Sequence, residues 1–101
     1  MDFKVIWSDT ALADFQEIWA YIAQHDPDAA TRIGRGLLAH VRVLATFPYI
    51  GPTYPRGSRG KLREIVFRPY RIFYDVSEES QSVEILHVWH GARDEPTLEG
   101  R

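Results

Sequence analysis

Residues 8–46 read SDTALADFQEIWAYIAQHDPDAATRIGRGLLAHVRVLAT, and they predict two consecutive amphipathic helices. In the first half, apolar residues recur every three or four positions, which places them on one face of a helix. Ser8 is a residue typical of a helix N-cap, so the first helix should begin there and end near His25. Its predicted apolar positions are Leu12, Phe15, Ile18, Trp19, Ile22 and Ala23.

A second helix is predicted to follow at once. Asp26 can cap it, and Pro27 suits the first helical position, where no amide proton is needed. Gly34 and Gly36 each weaken this helix by about 1 kcal/mol relative to alanine, a cost that close packing of the first helix would offset. We therefore expect a helical hairpin. The predicted buried stripe of the second helix is Ala30, Ile33, Leu37, Val41 and Leu44.

The rest of the chain predicts a long loop and a β-sheet. Phe47-Pro48 ends the second helix, and recurring prolines and glycines then indicate a loop up to Gly60. The predicted strands cover residues 3–7, 62–67, 70–76 and 82–90. This order predicts a single α+β domain over residues 1–101, β-α-α-β-β-β. We expect an antiparallel four-stranded sheet with the helical hairpin packed on one face.

Alternation along residues 70–76 assigns side chains to the two faces of that sheet. Tyr70, Ile72 and Tyr74 share one apolar face, because successive strand residues point to opposite sides. Arg71 should therefore face away from the helices. Any chemistry is expected on this uncovered sheet face.

Basic residues are concentrated in residues 56–71, although the whole chain has a net charge of -2 and a pI near 6.0. This stretch contains one acid, Glu64, and its basic residues are Arg56, Arg59, Lys61, Arg63, Arg68 and Arg71. His87, His90 and Arg93 follow near the C-terminus, so we expect a local site for an anionic partner. The overall charge argues against a protein that holds nucleic acid by general electrostatic attraction, which needs many phosphate contacts.

Several classes of protein lack support in the sequence. There is no cysteine, so disulfides and thiolate metal sites are excluded, and a reducing cytoplasm is the expected location. No secretory signal or membrane span is predicted. Nucleotide-binding, nucleophile-elbow and zinc-finger spacings do not occur. We expect no cofactor, no metal, no small-molecule substrate and no membrane partner. His87 and His90 should lie on opposite faces of their strand, which makes joint coordination of a metal unfavourable.

Structural roles compete with functional ones at several positions. Arg71 could form an ion pair with Asp75 or Glu84 on the sheet. His87 could be a packed strand residue, whereas His90 is the better candidate for proton transfer. Aromatic residues on the first helix, such as Trp19, are either core or an exposed contact for a partner.

Six short segments, in this order and spacing, resemble the RelE/ParE toxin family. They are WS (7–8), DPDAA (26–30), FPYIG (47–51), KLREI (61–65), YRIFY (70–74) and HGAR (90–93). The resemblance covers nearly the whole chain. It implies a growth-inhibiting toxin of a bacterial type II toxin–antitoxin module, a class that includes plasmid stabilisation proteins, held inactive by a cognate antitoxin. It implies as target either DNA gyrase or the ribosome with its mRNA.

The resemblance assigns roles to particular residues. In the RelE-like branch, a ribosome-dependent mRNA endonuclease, Arg71 and Arg93 match family arginines and His90 could act as general acid or base. Lys61 and Arg63 lie near the family's first basic pair and, with Arg71 and Arg93, are candidates for target binding. The acidic C-terminal tail lacks the tyrosine of many nuclease members, and the chain lacks their positive charge.

These departures favour the ParE-like branch, which acts on DNA gyrase without known catalysis, and the RelE-like nuclease is the alternative. A third interpretation is a binding module that retains the fold without the toxicity.

Overall fold

The computed structural model describes residues 2–54 and 62–91, and confirms the predicted α+β order. Its elements are β1 (Lys4–Trp7), α1 (Asp9–His25), α2 (Pro27–Thr46), β2 (Arg63–Phe67), β3 (Tyr70–Ser77) and β4 (Ser82–His90). The described part of the chain contains no helix that is both long and apolar enough to cross a membrane.

Local capping signals set the ends of both helices, as predicted. The Ser8 hydroxyl accepts a hydrogen bond from the Ala11 amide at 3.0 Å and so begins α1. Asp26 serves both helices: its amide donates to the Ile22 carbonyl at 2.8 Å, and its carboxylate accepts from the Ala29 amide at 3.1 Å. The hairpin therefore turns at a single residue.

The two helical glycines meet different neighbours. A Cβ on Gly34 would lie 2.6 Å from the ring of Trp19, so α1 packs closely at this position, as expected. A Cβ on Gly36 would instead lie 2.8 Å from the ring of Phe67 in β2. The expectation that close packing of α1 accounts for both glycines was therefore wrong for Gly36. At Gly36 the missing side chain instead lets the Phe67 ring of the sheet pack against α2.

The sheet has the strand order β1-β4-β3-β2 and is mixed, not antiparallel throughout. The pairs β2–β3 and β3–β4 are antiparallel as predicted, whereas β1 runs parallel to β4. A tight turn forces its two strands to be antiparallel, but β1 and β4 are joined through the helical hairpin and two further strands. Their relative direction is thus set by tertiary packing and not by a turn.

The main core lies between the helices and one face of the sheet. The predicted stripe of α2 contributes Leu37, Val41 and Leu44, each at most 1% exposed. The even-numbered residues of β3 face them, as alternation predicted. The strand members of this buried cluster are Tyr70, Ile72, Tyr74, Val83, Ile85 and Val88.

A β-bulge interrupts the β3–β4 pairing. Phe73 pairs with His87 while Tyr74 pairs with Ile85, so Leu86 is an extra residue in β4. The bulge shifts the alternation of β4 by one position. Before it, odd-numbered residues such as Ile85 belong to the main core, and after it the even-numbered Val88 does.

Candidate functional site

The candidate site lies on the sheet face opposite the helices. A second, smaller hydrophobic cluster is buried there, with Tyr54, Leu62 and Phe73 at its centre and Leu86 and Trp89 packed against it. Arg71 pairs with Trp89 on β4, which places the arginine on this same face. The prediction that Arg71 faces away from the helices is confirmed.

The guanidinium of Arg71 is held by a carboxylate and by aromatic rings. Its Nε donates to the carboxylate of Glu64. Its Cζ lies 5.2 Å from the centroid of the Phe73 ring and 5.5 Å from that of Tyr54, within cation–π range. The hydrogen bond that Arg71 donates to Glu64 raises the pKa of Arg71, and burial opposes this rise. Arg71 is therefore a permanent cation whose charge is balanced locally.

The predicted structural partners of Arg71 were the wrong carboxylates. Glu64 in β2 pairs with Phe73 in β3. It therefore lies diagonally across from Arg71, on the same face of the sheet. Asp75 instead accepts a hydrogen bond from the Val76 amide at 2.9 Å. Asp75 pairs with Glu84 across β3 and β4, so two like charges are neighbours on this face.

Arg63 lies on the other face of the sheet. It pairs with Tyr74, whose side chain is in the main core. Its Nη1 donates to the carbonyl oxygens of Gly51 at 2.7 Å and Tyr49 at 3.4 Å, and its Cζ lies 5.0 Å from the centroid of the Tyr49 ring. Arg63 and Arg71 therefore lie on opposite faces of the sheet, and their roles in target binding stay predictions. Arg63 fixes the loop that follows α2.

The imidazole of His90 also lies away from Arg71. His90 pairs with Tyr70, and the two rings meet edge to face with centroids 5.5 Å apart. Because Tyr70 belongs to the main core, His90 lies on the helix side of the sheet. Of the predicted trio Arg71, His90 and Arg93, the two described members, Arg71 and His90, thus lie on opposite faces of the sheet. The other predicted site residues fall outside the described part of the chain. Those are Lys61 and Arg93, and Arg56 and Arg59 of the basic stretch lie there as well.

His87 lies at the edge of β4 where β1 has ended. The carboxylate of Asp14 in α1 accepts from the Val88 amide at 3.0 Å and lies 3.3 Å from Nδ1 of His87. Asp14 thus supplies the acceptor that a neighbouring strand would otherwise provide. His87 is 8% exposed, in keeping with the packed role considered from the sequence. In the described residues, no group of three His, Cys, Asp or Glu side chains could hold a metal ion.

Sequence reasoning missed a cleft of about 620 Å³ between α1 and the end of β4. Its lining includes Asp14, Glu17, Tyr21, Tyr70, Trp89 and His90. Asp14, Glu17 and Tyr21 follow one another at helical spacings of three and four, which is the signal that could have revealed it. Its two carboxylates make it unsuited to an anionic partner.

Two tyrosines of the main core should titrate at high pH. Burial raises the pKa of Tyr70 and Tyr74 above the ordinary value of 10.0, because the neutral phenol is favoured away from water. The folded state then binds these two protons more tightly than the unfolded state does. Their contribution to the free energy of unfolding should therefore be fully present below the pKa values of the unfolded chain, and should be lost as the pH rises through the pKa values of the folded protein. Phenolate absorbance during alkaline titration should show these late ionisations in native protein, and Tyr74→Phe should remove one of them. Ionisation of every tyrosine near pH 10.0 would contradict the prediction.

The fold matches solved toxin structures at low sequence identity. A chain of the chromosomal ParDE toxin–antitoxin system from P. aeruginosa superposes with a TM-score of 0.73 at 18% identity, over 87% of this chain and 95% of that one. The toxin–antitoxin complex RelBE2 from Mycobacterium tuberculosis gives a TM-score of 0.67 at 22% identity, over 89% and 99%. The isolated E. coli RelE toxin gives a TM-score of 0.58 at 19% identity, over 92% of this chain and 88% of that one. These similarities establish the fold.

Sequence comparisons establish the family. The model of the ParE toxin of type II toxin–antitoxin systems matches residues 5–95. The putative toxin Y4kP of Sinorhizobium fredii is 37% identical over 97 residues, covering 94% of this chain and 95% of that protein. Toxin RelE2 of Caulobacter vibrioides is 37% identical over 91 residues, covering 89% of this chain and 97% of that protein. The resemblance seen in the sequence is thereby confirmed, and the chain belongs to the ParE toxin family of type II toxin–antitoxin systems.

Proposed function

We propose that this toxin inhibits growth by binding DNA gyrase in the cytoplasm, without catalysing a reaction, and that a cognate antitoxin neutralises it. The observation that carries the choice of target is the separation of Arg71 from His90 by the sheet. Arg71 is paired with Glu64, and His90 meets the ring of Tyr70 edge to face on the opposite side of the sheet. Family membership supports the toxin role, and a related fold solved as a toxin–antitoxin complex supports the antitoxin.

Cleavage of RNA requires groups that the described residues of this sheet face do not bring together. A general acid or base must reach the proton it transfers, and cations must face the charge that develops on phosphate. On the face of Arg71, the described residues also include the carboxylates of Glu64, Asp75 and Glu84. These repel a polyanion such as mRNA. A non-catalytic protein target is the better fit.

The alternative is a RelE-like, ribosome-dependent mRNA endonuclease that uses Arg71, Arg93 and His90. The name of one relative, Toxin RelE2, favours this alternative at 37% identity. Arg71 would then have to exchange Glu64 for the scissile phosphate.

The decisive experiment compares two assays on the purified toxin. We expect gyrase supercoiling to be inhibited and the inhibition to be reversed by the protein encoded beside the toxin gene. Primer extension on translated mRNA should show no new cuts. Intact supercoiling together with A-site cuts would contradict the gyrase proposal. The nuclease alternative also requires Arg71→Ala to reduce those cuts about 100-fold or more, since it removes a cation that stabilises the transition state.

Growth on induction tests toxicity itself. Expression without the neighbouring gene should stop growth, and co-expression should restore it. Harmless expression would favour the non-toxic binding module instead.

A further inference from the structure

The cleft of about 620 Å³ between α1 and the end of β4 has a volume in the range of small-molecule sites. Its α1 wall carries Asp14, Glu17 and Tyr21, each one helical turn from the next. Its strand wall includes the rings of Tyr70 and His90. Within the part of the chain that the structure describes, no lysine or arginine lines the cleft. The cleft therefore combines carboxylates with aromatic rings and has no permanent cation of its own there.

Both carboxylates of the cleft have an oxygen that can accept a hydrogen bond from a cation. Glu17 is exposed and forms no ion pair with any described residue. Asp14 uses one oxygen, Oδ2, for the Val88 amide and for the contact with His87, which leaves Oδ1 for a further donor. Residues three apart on a helix have Cβ atoms about 5 to 6 Å apart. A single ammonium or guanidinium group can therefore reach both Asp14 and Glu17.

Aromatic and aliphatic side chains line the rest of the cleft. The rings of Tyr70 and His90 meet edge to face with centroids 5.5 Å apart, so they form a corner of the strand wall. Tyr21 lies one turn beyond Glu17 and is 68% exposed. Rings at such positions attract a cation that comes within about 6 Å of their centroids. Ile18 and Val88 add apolar surface that a hydrocarbon chain can contact.

These features favour an organic cation over a metal ion. A metal ion needs several oxygen or nitrogen ligands that converge on one point, and no group of three His, Cys, Asp or Glu side chains among the described residues could hold one. A hydrated ion would also leave Ile18 and Val88 without a contact. From Asp14 to Tyr21, α1 advances about 10 Å, which leaves room for a cationic head and a short alkyl chain.

We propose that this cleft binds a small organic cation, an alkylammonium or alkylguanidinium ion, as a ligand. Its head group lies between the carboxylates of Asp14 and Glu17, and its chain packs on Ile18 and Val88 toward Tyr21. This inference goes beyond the proposed function, because it holds whichever target the toxin has. The affinity should decrease with salt, since Glu17 is exposed to solvent.

The test titrates the complete chain with butylammonium, butylguanidinium and uncharged butanol at constant ionic strength, followed by NMR of the backbone amides. At least one of the two ions should bind with a Kd of about 1 mM or lower, whereas butanol should not saturate a site. The amides of Glu17, Tyr21, Val88 and His90 should shift together. The ion that binds more tightly identifies the preferred head group.

Three variants assign the binding to the cleft. Glu17→Gln should raise Kd about tenfold, because it removes a charge-assisted hydrogen bond at an exposed position. Tyr21→Ala should raise Kd about threefold through the loss of the ring. The control variant Glu79→Gln makes the same change of net charge in the turn between β3 and β4, and should change Kd less than about twofold. Circular dichroism checks that each variant is folded.

Several results would overturn the inference. They are a lack of saturation by both ions up to about 10 mM, equal binding of butanol, and amide shifts that lie outside the cleft. An equal Kd for Glu17→Gln and the wild type would also overturn it, since the head group would then not lie between the two carboxylates. Each of these results leaves the outcome of the gyrase assay unaffected, so failure of this inference and failure of the proposed function are distinguishable.

Discussion

Replacing Gly51 with alanine should lower the free energy of unfolding by about 3 kcal/mol, because a buried methyl group has no space there. The added Cβ would lie 2.5 Å from the carbonyl oxygen of Glu64 and 2.8 Å from the hydroxyl of Tyr74. The strand β2 cannot yield, since it is paired with β3 and the Glu64 amide donates to the Pro52 carbonyl at 3.1 Å. Displacing the loop would also break the 3.0 Å hydrogen bond from the Gly51 amide to Tyr74. Urea denaturation followed by circular dichroism measures the change.

Gly36→Ala is the matched control for this substitution. Alanine favours the interior of α2 by about 1 kcal/mol over glycine, which offsets the cost of moving the ring of Phe67. We expect its net effect to be much smaller than that of Gly51→Ala. Equal urea-denaturation midpoints for Gly51→Ala and Gly36→Ala would show that the loop after α2 is free to move away from β2.

Replacing Asp14 with alanine should cost about 2 kcal/mol, since it leaves a buried backbone donor unpaired. The amide of Val88 donates to the Asp14 carboxylate at the edge of β4, and Val88 is 3% exposed. The contact of His87 Nδ1 with the same oxygen would be lost as well. Urea denaturation gives the loss of stability, and hydrogen exchange at the Val88 amide should become faster.

Asp14→Asn separates the hydrogen bond from the charge. The amide oxygen of asparagine can still accept from Val88, so we expect a loss of about 1 kcal/mol or less. Identical losses for the two Asp14 variants would mean that the hydrogen-bond acceptor at the edge of β4 contributes nothing beyond the negative charge of the carboxylate.

Short-range signals allowed much of the fold to be predicted. The first turns of both helices depend on the N-caps Ser8 and Asp26, which accept from amides three residues away. The face assignment of Arg71 needed only the alternation of β3. These features follow from neighbouring residues, so they could be inferred without knowing which strands pair.

The candidate site was less predictable, because it depends on partners that are distant in the sequence. Glu64 became the partner of Arg71 through the β2–β3 register, and not Asp75 or Glu84. Leu86 forms a bulge that turns His90 toward Tyr70, a change that a simple count of alternating residues does not show. The separation of imidazole from guanidinium therefore became visible only in the folded chain.

The sequence by itself determined the helical hairpin, the order of the strands along the chain and the toxin family to which the resemblance pointed. Tertiary structure alone decided that β1 runs parallel to β4, that Arg63 holds a loop on the helix side, and that Arg71 forms an ion pair with Glu64. The physical reason is the range of the interactions. Caps and alternation act over a few residues, whereas strand pairing, bulges and ion pairs join segments whose proximity is fixed only when the core packs.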